Sequence, residues 1–271
     1  RGFYEHMHAY PELSGEEKET AGFIQDKLRE FDCEVITNIG GHGIVALFRN
    51  GEGPTVLFRA DFDGLPVQEA TGVPFASKNE GQMHACGHDM HTTALLGLCQ
   101  ILNESRDRWK GTFMALFQPA EETSGGSDRM IKAGALEFEK EKDRKIDAFF
   151  ALHMAPEIEL GKIGIKYGKA HASSARIHLT INGVSAHAAL PHKGIDAILI
   201  GAKVMEYLQS IVSRRIDPRE EAVITIGAFN GGFADNVVCD KVEMKGTART
   251  MSEETRTFII ETLERDLPKF V

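Results

Sequence analysis

Short apolar runs separated by turn residues fill the first half of the chain, and their spacing predicts its elements. Ser14-Gly15-Glu16-Glu17 reads as a capping box opening a helix whose apolar stripe is Ala21, Ile24, Leu28 and Phe31. Strand-like segments follow at 34–39, 43–48 and 55–59, with Gly40-Gly41 and Asn50-Gly51 as turn chemistry between them. Residues 92–102 are apolar nearly all round, which predicts a buried helix. Two more buried-looking strands, at 112–117 and 148–152, bracket a helix at 127–133. Strands alternating with helices predict an α/β domain with a central mixed, mostly parallel sheet flanked by helices.

The pattern changes after Gly168. Ile177, Leu179 and Ile181 alternate with polar residues, the signature of a half-solvated strand. A long helix at 195–212, strands at 222–229 and 237–249, and a last helix near the weaker cap Ser252 complete a β-α-β-β-α order. That is an α+β, ferredoxin-like split unit one strand short. The expected domains are therefore 1–167 and 168–271.

Composition narrows the function classes. The chain has 271 residues, is 42% hydrophobic and 26% charged, and so can bury a sizeable core. Its formal net charge of -9 argues against nucleic acid or an anionic membrane surface as partner. No apolar run approaches the roughly twenty residues of a membrane helix. Cys33, Cys86, Cys99 and Cys239 are scattered without CxxC pairing, which excludes a disulfide scaffold and points to the cytosol.

The candidate chemistry lies where the predicted strands end. Segment 55–60 runs into Asp61 and Asp63, segment 112–120 into Glu121-Glu122, and segment 148–152 into His153. Ligands of open α/β sheets bind outside the carboxyl ends of strands, so these groups are expected to converge. A fourth cluster, His84-Ala85-Cys86-Gly87-His88-Asp89-Met90-His91, precedes the helix at 92–102 and lies at its positive end. Cys86 and His88 are two apart, and an extended backbone would point both to one side. Thiolate, imidazole and carboxylate together suit Zn²⁺ or Mn²⁺ better than Mg²⁺. One of the paired glutamates can hold a metal while the other moves protons. Each residue also has a plain structural reading: Glu-Glu as solvated surface, His153 as a structural histidine, Cys86 as a small hydrophobe, Asp61 and Asp63 as turn formers before Gly64. Their co-occurrence at three strand ends and one helix start favours a metal site. HExxH, GxSxG and Walker motifs are absent, which favours hydrolysis by an activated water over a serine nucleophile.

Five ordered motifs resemble the M20 metallopeptidase family across the whole chain. They are His8-Ala9-Tyr10-Pro11-Glu12-Leu13-Ser14, Arg59-Ala60-Asp61-Phe62-Asp63-Gly64-Leu65-Pro66, the 84–91 cluster, Gln118-Pro119-Ala120-Glu121-Glu122 and residues 183–192, GVSAHAALPH. The subgroup they resemble is the amidohydrolases that cleave N-acyl amino acids, hippurate hydrolases among them. The resemblance implies a zinc-peptidase-like catalytic domain with an inserted lid domain that also forms a homodimer. It implies two divalent ions per subunit, zinc or manganese first and cobalt or nickel next, held by Cys86, His88, Glu122 and His153. Glu121 matches the general base, and Asp63 the aspartate that orients a ligand. Asp61 stands where the peptidases have a histidine, which sets it apart from the ligands. In the lid, His187 matches the histidine that polarises the scissile carbonyl, and Asn236 and Arg249 match contacts to the substrate carboxylate. Family members continue past the position of Val271 and return to the catalytic domain with a last metal-ligating histidine, so the resemblance implies a C-terminally incomplete chain short of one ligand. The activity implied is a metal-dependent amidohydrolase of the cytoplasm acting on a small N-acyl amino acid. A dipeptidase or aminopeptidase of the same superfamily and a catalytically silent metal-binding homologue are the alternatives.

Overall fold

A computed structural model describes residues 2–123, 125–137 and 145–270. The chain divides into two compact units, Arg1–Gly161 and Lys162–Val271.

The first unit is built on a five-stranded sheet. Its strands are β1 (Glu34–Ile39), β2 (Gly43–Asn50), β3 (Thr55–Asp61), β4 (Gly111–Gln118) and β5 (Ala148–Ala151), in the order β1-β2-β4-β3-β5. Pairs β1–β2 and β2–β4 are antiparallel, whereas β3–β4 and β3–β5 are parallel. The sheet is therefore evenly mixed rather than mostly parallel. The reason is β2, which the tight Gly40-Gly41 turn folds back on β1 and which pairs with β4 instead of its sequence neighbour β3. Asn50-Gly51 accordingly ends a strand without forming a hairpin.

Helices α1 (Gly2–Ala9), α2 (Lys18–Leu28) and α3 (His88–Glu104) cover one face, and α4 (Gly126–Lys132) packs on the other. Ile24, Leu28, Leu95 and Cys99 meet Ile44, Phe48, Phe113 and Phe117 on the first face. Met130 and Ala135 meet Val45, Leu47, Leu57 and Met114 on the second. A strand covered on both sides reads as a continuous apolar run, which is why β4 carries Thr-Phe-Met-Ala-Leu-Phe without alternation. Each fully buried Phe or Leu here contributes about 1.5–3 kcal/mol of transfer free energy.

Three local expectations are corrected. Ser14 does not cap α2; the Glu12 carboxylate does, accepting the Glu19 and Thr20 N–H groups at 3.2 and 2.7 Å. The helix predicted at 92–102 is longer and buried on one face only, with Ile101 at 62% exposure. β5 is an edge strand whose Phe149 and Phe150 are more than half exposed, because only β3 pairs with it. Helix α1, with its histidines and aromatics in place of a clean apolar stripe, is an element the hydrophobic pattern does not reveal.

In the second unit, β6 (Ser173–Asn182), β7 (Ala222–Gly231) and β8 (Lys241–Thr250) form an antiparallel sheet in the order β6-β8-β7. Helices α5 (Ala197–Arg215) and α6 (Glu253–Asp266) share one apolar cluster with Ile177, Ile181, Ile224, Val242 and Met244. This is the order of the first three strands of a ferredoxin-like unit. Here the Ser252 cap is real: its hydroxyl accepts the Thr255 N–H at 3.0 Å. Asp196 caps α5 through the Ile198 and Leu199 N–H groups.

Candidate metal centre

Parallel strands bring their carboxyl ends to one side, and β3, β4 and β5 do so in adjacent positions. Asp61 closes β3 opposite Gln118 of β4. The next residues of each strand supply Asp63, Glu121-Glu122 and His153, and the start of α3 supplies Cys86 and His88. Gly87 joins the last two. It is the N-cap of α3 with φ 85°, a left-handed conformation that a side chain disfavours. Cys86 and His88 thus share a site through a left-handed turn into the helix, not through extended backbone as their spacing predicts.

His88 is the hub. Its ligand atoms lie within 4.8 Å of Cys86 and His153, and likewise of Glu121 and Glu122. Cys86 Sγ is 3.4 Å from His153 Nε2. His88 Nδ1–H donates to Asp63 Oδ1 at 3.0 Å, so Nε2 faces the cluster. That Nε2 is buried and has no hydrogen-bond partner; the carboxylate oxygens of Asp61 and Glu122 are 3.7 and 3.8 Å away. A buried imidazole nitrogen without a partner is costly unless something absent from the protein fills the position. The donors around it, a thiol, two imidazoles and two carboxylates, suit a divalent transition ion.

The electrostatics agree. Burial pushes the Cys86 thiol up to about 12, and the charges of Glu122, Glu121 and Asp61 add to the rise. Burial also raises Glu121, followed by repulsion from Glu122 and Asp61. A pocket that crowds carboxylates beside a reluctant thiol is one that a dication stabilises.

The surrounding residues hold these groups still. Asp63 Oδ2 accepts from the Ser14 hydroxyl at 2.6 Å and the Glu122 N–H at 3.0 Å. Buried Glu17 accepts the Ala120 N–H at 2.7 Å, which pins the segment leading into Glu121. Ala120 itself has φ 50°, and any Cβ at Gly126 would stand 1.8 Å from the Pro119 oxygen, so the turn carrying the two glutamates is tightly folded. Asp61 pairs with Arg59 and His91 and takes no part in the Cys86–His153 group. Ser14, Glu17 and His91 are contributors that the motif reading passes over; the three-residue spacing of His88 and His91, which puts both on one helix face, is the signal that marks the last.

In the second unit, His187 pairs with Val237 across an isolated bridge, and the Asn236 carbonyl accepts the Ala188 N–H. His187 and Asn236 are therefore neighbours, both exposed. Arg249 is exposed near the opposite end of β8, about 27 Å from Lys241 by strand rise. The unit does not bring it to the other two.

The profile of Peptidase family M20/M25/M40 matches residues 57–264. The chain belongs to this family. It is 44% identical over 256 residues to an N-acetyl-L-cysteine deacetylase of Bacillus subtilis (strain 168), covering 94% of this chain and 60% of that protein. Identity to an N-acyl-L-amino acid amidohydrolase of Geobacillus stearothermophilus is 42%, covering 96% of this chain and 69% of the relative. Among solved structures, the M20 chain is similar to a Bacillus subtilis protein described as a dinuclear metal binding peptidase from the M20 family. The TM-score is 0.79 at 34% identity, over 99% of this chain and 68% of the other. The chain thus spans about 60–70% of the length of these relatives. Among the described residues no helix is long and apolar enough to cross a membrane.

Proposed function

We propose that this M20 protein is a metal-dependent amidohydrolase that cleaves the amide bond of N-acyl amino acids or related small conjugates. The observation that carries the reading is the convergence of Cys86, His88, His153, Glu121 and Glu122 around the partnerless, buried Nε2 of His88. The names of the relatives, a deacetylase and an amidohydrolase of N-acyl amino acids, support the substrate class.

On this reading Cys86, His88, Glu122 and His153 hold two divalent ions, zinc or manganese, with cobalt or nickel as substitutes. Ions bound there supply Lewis-acid polarisation of the acyl carbonyl and make a water easier to deprotonate. Glu121 takes the proton of the attacking water on a carboxylate oxygen and returns it to the leaving nitrogen; its raised proton affinity suits that exchange. Asp63 keeps the His88 proton on Nδ1 and so leaves Nε2 for the ion. The second unit serves as a lid and as the contact of a homodimer. There His187, with Asn236 beside it, serves one active site of the dimer by donating to the scissile carbonyl oxygen. Arg249, at the far end of β8, serves the other by holding the substrate carboxylate. The free thiols of Cys33, Cys86, Cys99 and Cys239 suit a cytoplasmic setting.

The test is hydrolysis of a panel of N-acyl amino acids and unacylated dipeptides, with and without a chelator. The expected result is chelator-sensitive release of free amino acid from the acylated compounds, restored by zinc or manganese. Turnover of the dipeptides alone would move the assignment to a peptidase; chelator-resistant turnover would end the metal-dependent reading.

A further inference from the structure

His91 lies beside His88 on the first turn of α3, fully buried, within 4.8 Å of His88 and Asp61 by its ligand atoms. Its proximity makes it look like one more ligand, but its hydrogen bonds say otherwise. The backbone N–H of Met154 points at His91 Nε2 at 2.9 Å. An amide N–H can only donate, so Nε2 accepts and the ring proton sits on Nδ1. Nδ1–H in turn meets Asp61 Oδ1 at 2.6 Å. Both nitrogens are engaged, and no lone pair remains for an ion. Asp61 is itself fixed: Arg59 pairs with its other oxygen at 2.6 Å, and the Thr92 hydroxyl donates to its backbone carbonyl at 2.8 Å.

Met154 also acts through its carbonyl, which lies in the next peptide unit. This carbonyl accepts from His153 Nδ1 at 2.7 Å. A carbonyl can only accept, so His153 carries its proton on Nδ1 and presents a bare Nε2 toward Cys86. His153 is exposed, and packing alone does not hold its ring. Met154 also seats on Gly87, where an added Cβ would stand 3.1 Å from Met154 Cγ.

We propose that His91 is a positioning residue: clamped by Asp61, it holds Met154 by its backbone N–H, and through the carbonyl of that anchored residue it presets the ring and tautomer of the ligand His153. The proposal rests on the metal-dependent reading above and adds a residue to it. It assigns the Asp61–His91 pair a role outside the ligand set, acting across two chain segments that are 63 residues apart.

The experiment combines NMR of the unmodified protein with a metal-affinity cycle. Long-range ¹H–¹⁵N spectra of the histidine rings should show His91 protonated on Nδ1 both before and after Zn²⁺ is added. The Nε2 resonance of His153 should move on addition, and that of His91 should not. A Zn²⁺-dependent shift of His91 Nε2 makes it a ligand and overturns the proposal. In the cycle, His91→Asn keeps a donor near Asp61 and removes the acceptor for Met154. It should weaken one of two Zn²⁺ ions about 10–100-fold in chelator competition, with the midpoint of thermal unfolding little changed. His153→Ala should weaken the same ion, and the double variant should lose no more than His153→Ala alone. Additive losses, or wild-type affinity in His91→Asn, overturn the proposal. If His91→Asn fails to fold, the NMR result on the unmodified protein decides. A wild-type protein that takes up no Zn²⁺ overturns the metal-dependent reading itself, an outcome seen before any variant is measured.

Discussion

In Arg1–Gly161 the buried side chains include His8, Glu17, Asp61, Asp63, His84, His88, Asp89 and His91; in Lys162–Val271 the buried polar residues, among those described, are Thr250, Thr255 and Thr262. The first unit thus takes many carboxyl and imidazole groups out of water, and the second, among the described residues, buries no acidic, basic or imidazole side chain. Burying a charge costs several kcal/mol unless it is paired. The first unit offsets that cost through mated groups: Asp61 with Arg59 and His91, Asp63 with His88, His8 between Asp89 and Glu69. Its candidate site is therefore built as the fold is built, with His88 oriented beforehand by Asp63. The candidates of the second unit, His187, Asn236 and Arg249, stand on the surface, where substitution is cheap and a bound molecule can set their positions. One region orients its buried polar groups in advance; the other carries its candidate residues on the surface.

That contrast can be broken at several points. The largest effect is expected at Glu121. Glu121→Gln should cut turnover of an N-acyl amino acid by about 10²–10⁴-fold while metal content, measured by elemental analysis, stays at the wild-type level. An unchanged rate removes Glu121 from the chemistry. Next is Asp63→Ala, which leaves His88 Nδ1, the Ser14 hydroxyl and the Glu122 N–H without their acceptor. Metal affinity in chelator competition should fall about 10–100-fold; wild-type affinity would mean that the first unit does not depend on such orientation.

Acidity probes the same contrast more gently. Burial alone would raise the Asp61 carboxyl, but the His91 hydrogen bond, the Arg59 guanidinium and His88 together hold it down at about 2. A carboxyl lower in the folded than in the unfolded state stabilises above its ordinary value and loses that stabilisation as the pH falls. Urea unfolding of the metal-free protein should therefore lose about 2 kcal/mol between pH 4 and pH 2 from this group. Asp61→Asn should flatten that slope, and an identical slope in the variant would reject the pairing. The smallest change is expected in the second unit. Arg249→Ala should leave unfolding free energy within about 0.5 kcal/mol of wild type, because the side chain is exposed. Its effect should instead be a rise in KM of about 10-fold, the equivalent of one lost charged hydrogen bond. A fall in stability without a change in KM would reverse that assignment.

Much of this was legible in residue order. The strands are marked by apolar runs in the first unit and by alternation in the second. The candidate metal-site residues Asp63, Glu121-Glu122 and His153 stand where the runs of β3, β4 and β5 stop. The failures are as physical as the successes. Ser14 has the spacing of a cap, yet Asp63, 49 residues away, takes its hydroxyl, and a carboxylate from Glu12 reaches the helix start instead. Residues 148–152 are as apolar as β4, yet they form an edge, since apolarity does not say how many neighbours a strand has. His91 shares a motif with His88, but only the Met154 N–H shows that its nitrogens are already in use.

By itself the sequence determined local propensity and residue chemistry: which segments are strands or helices, where the thiol, imidazoles and carboxylates fall, and which family carries them in that order. Those properties depend on neighbours within a few positions, which a single chain displays. Only the tertiary structure decided the strand order, the even mixture of parallel and antiparallel pairs, the left-handed turn that joins Cys86 to His88, and which histidine nitrogens are already hydrogen-bonded and which have no partner. Each of these is set by which distant backbone groups satisfy one another's hydrogen bonds, and no local pattern encodes that pairing.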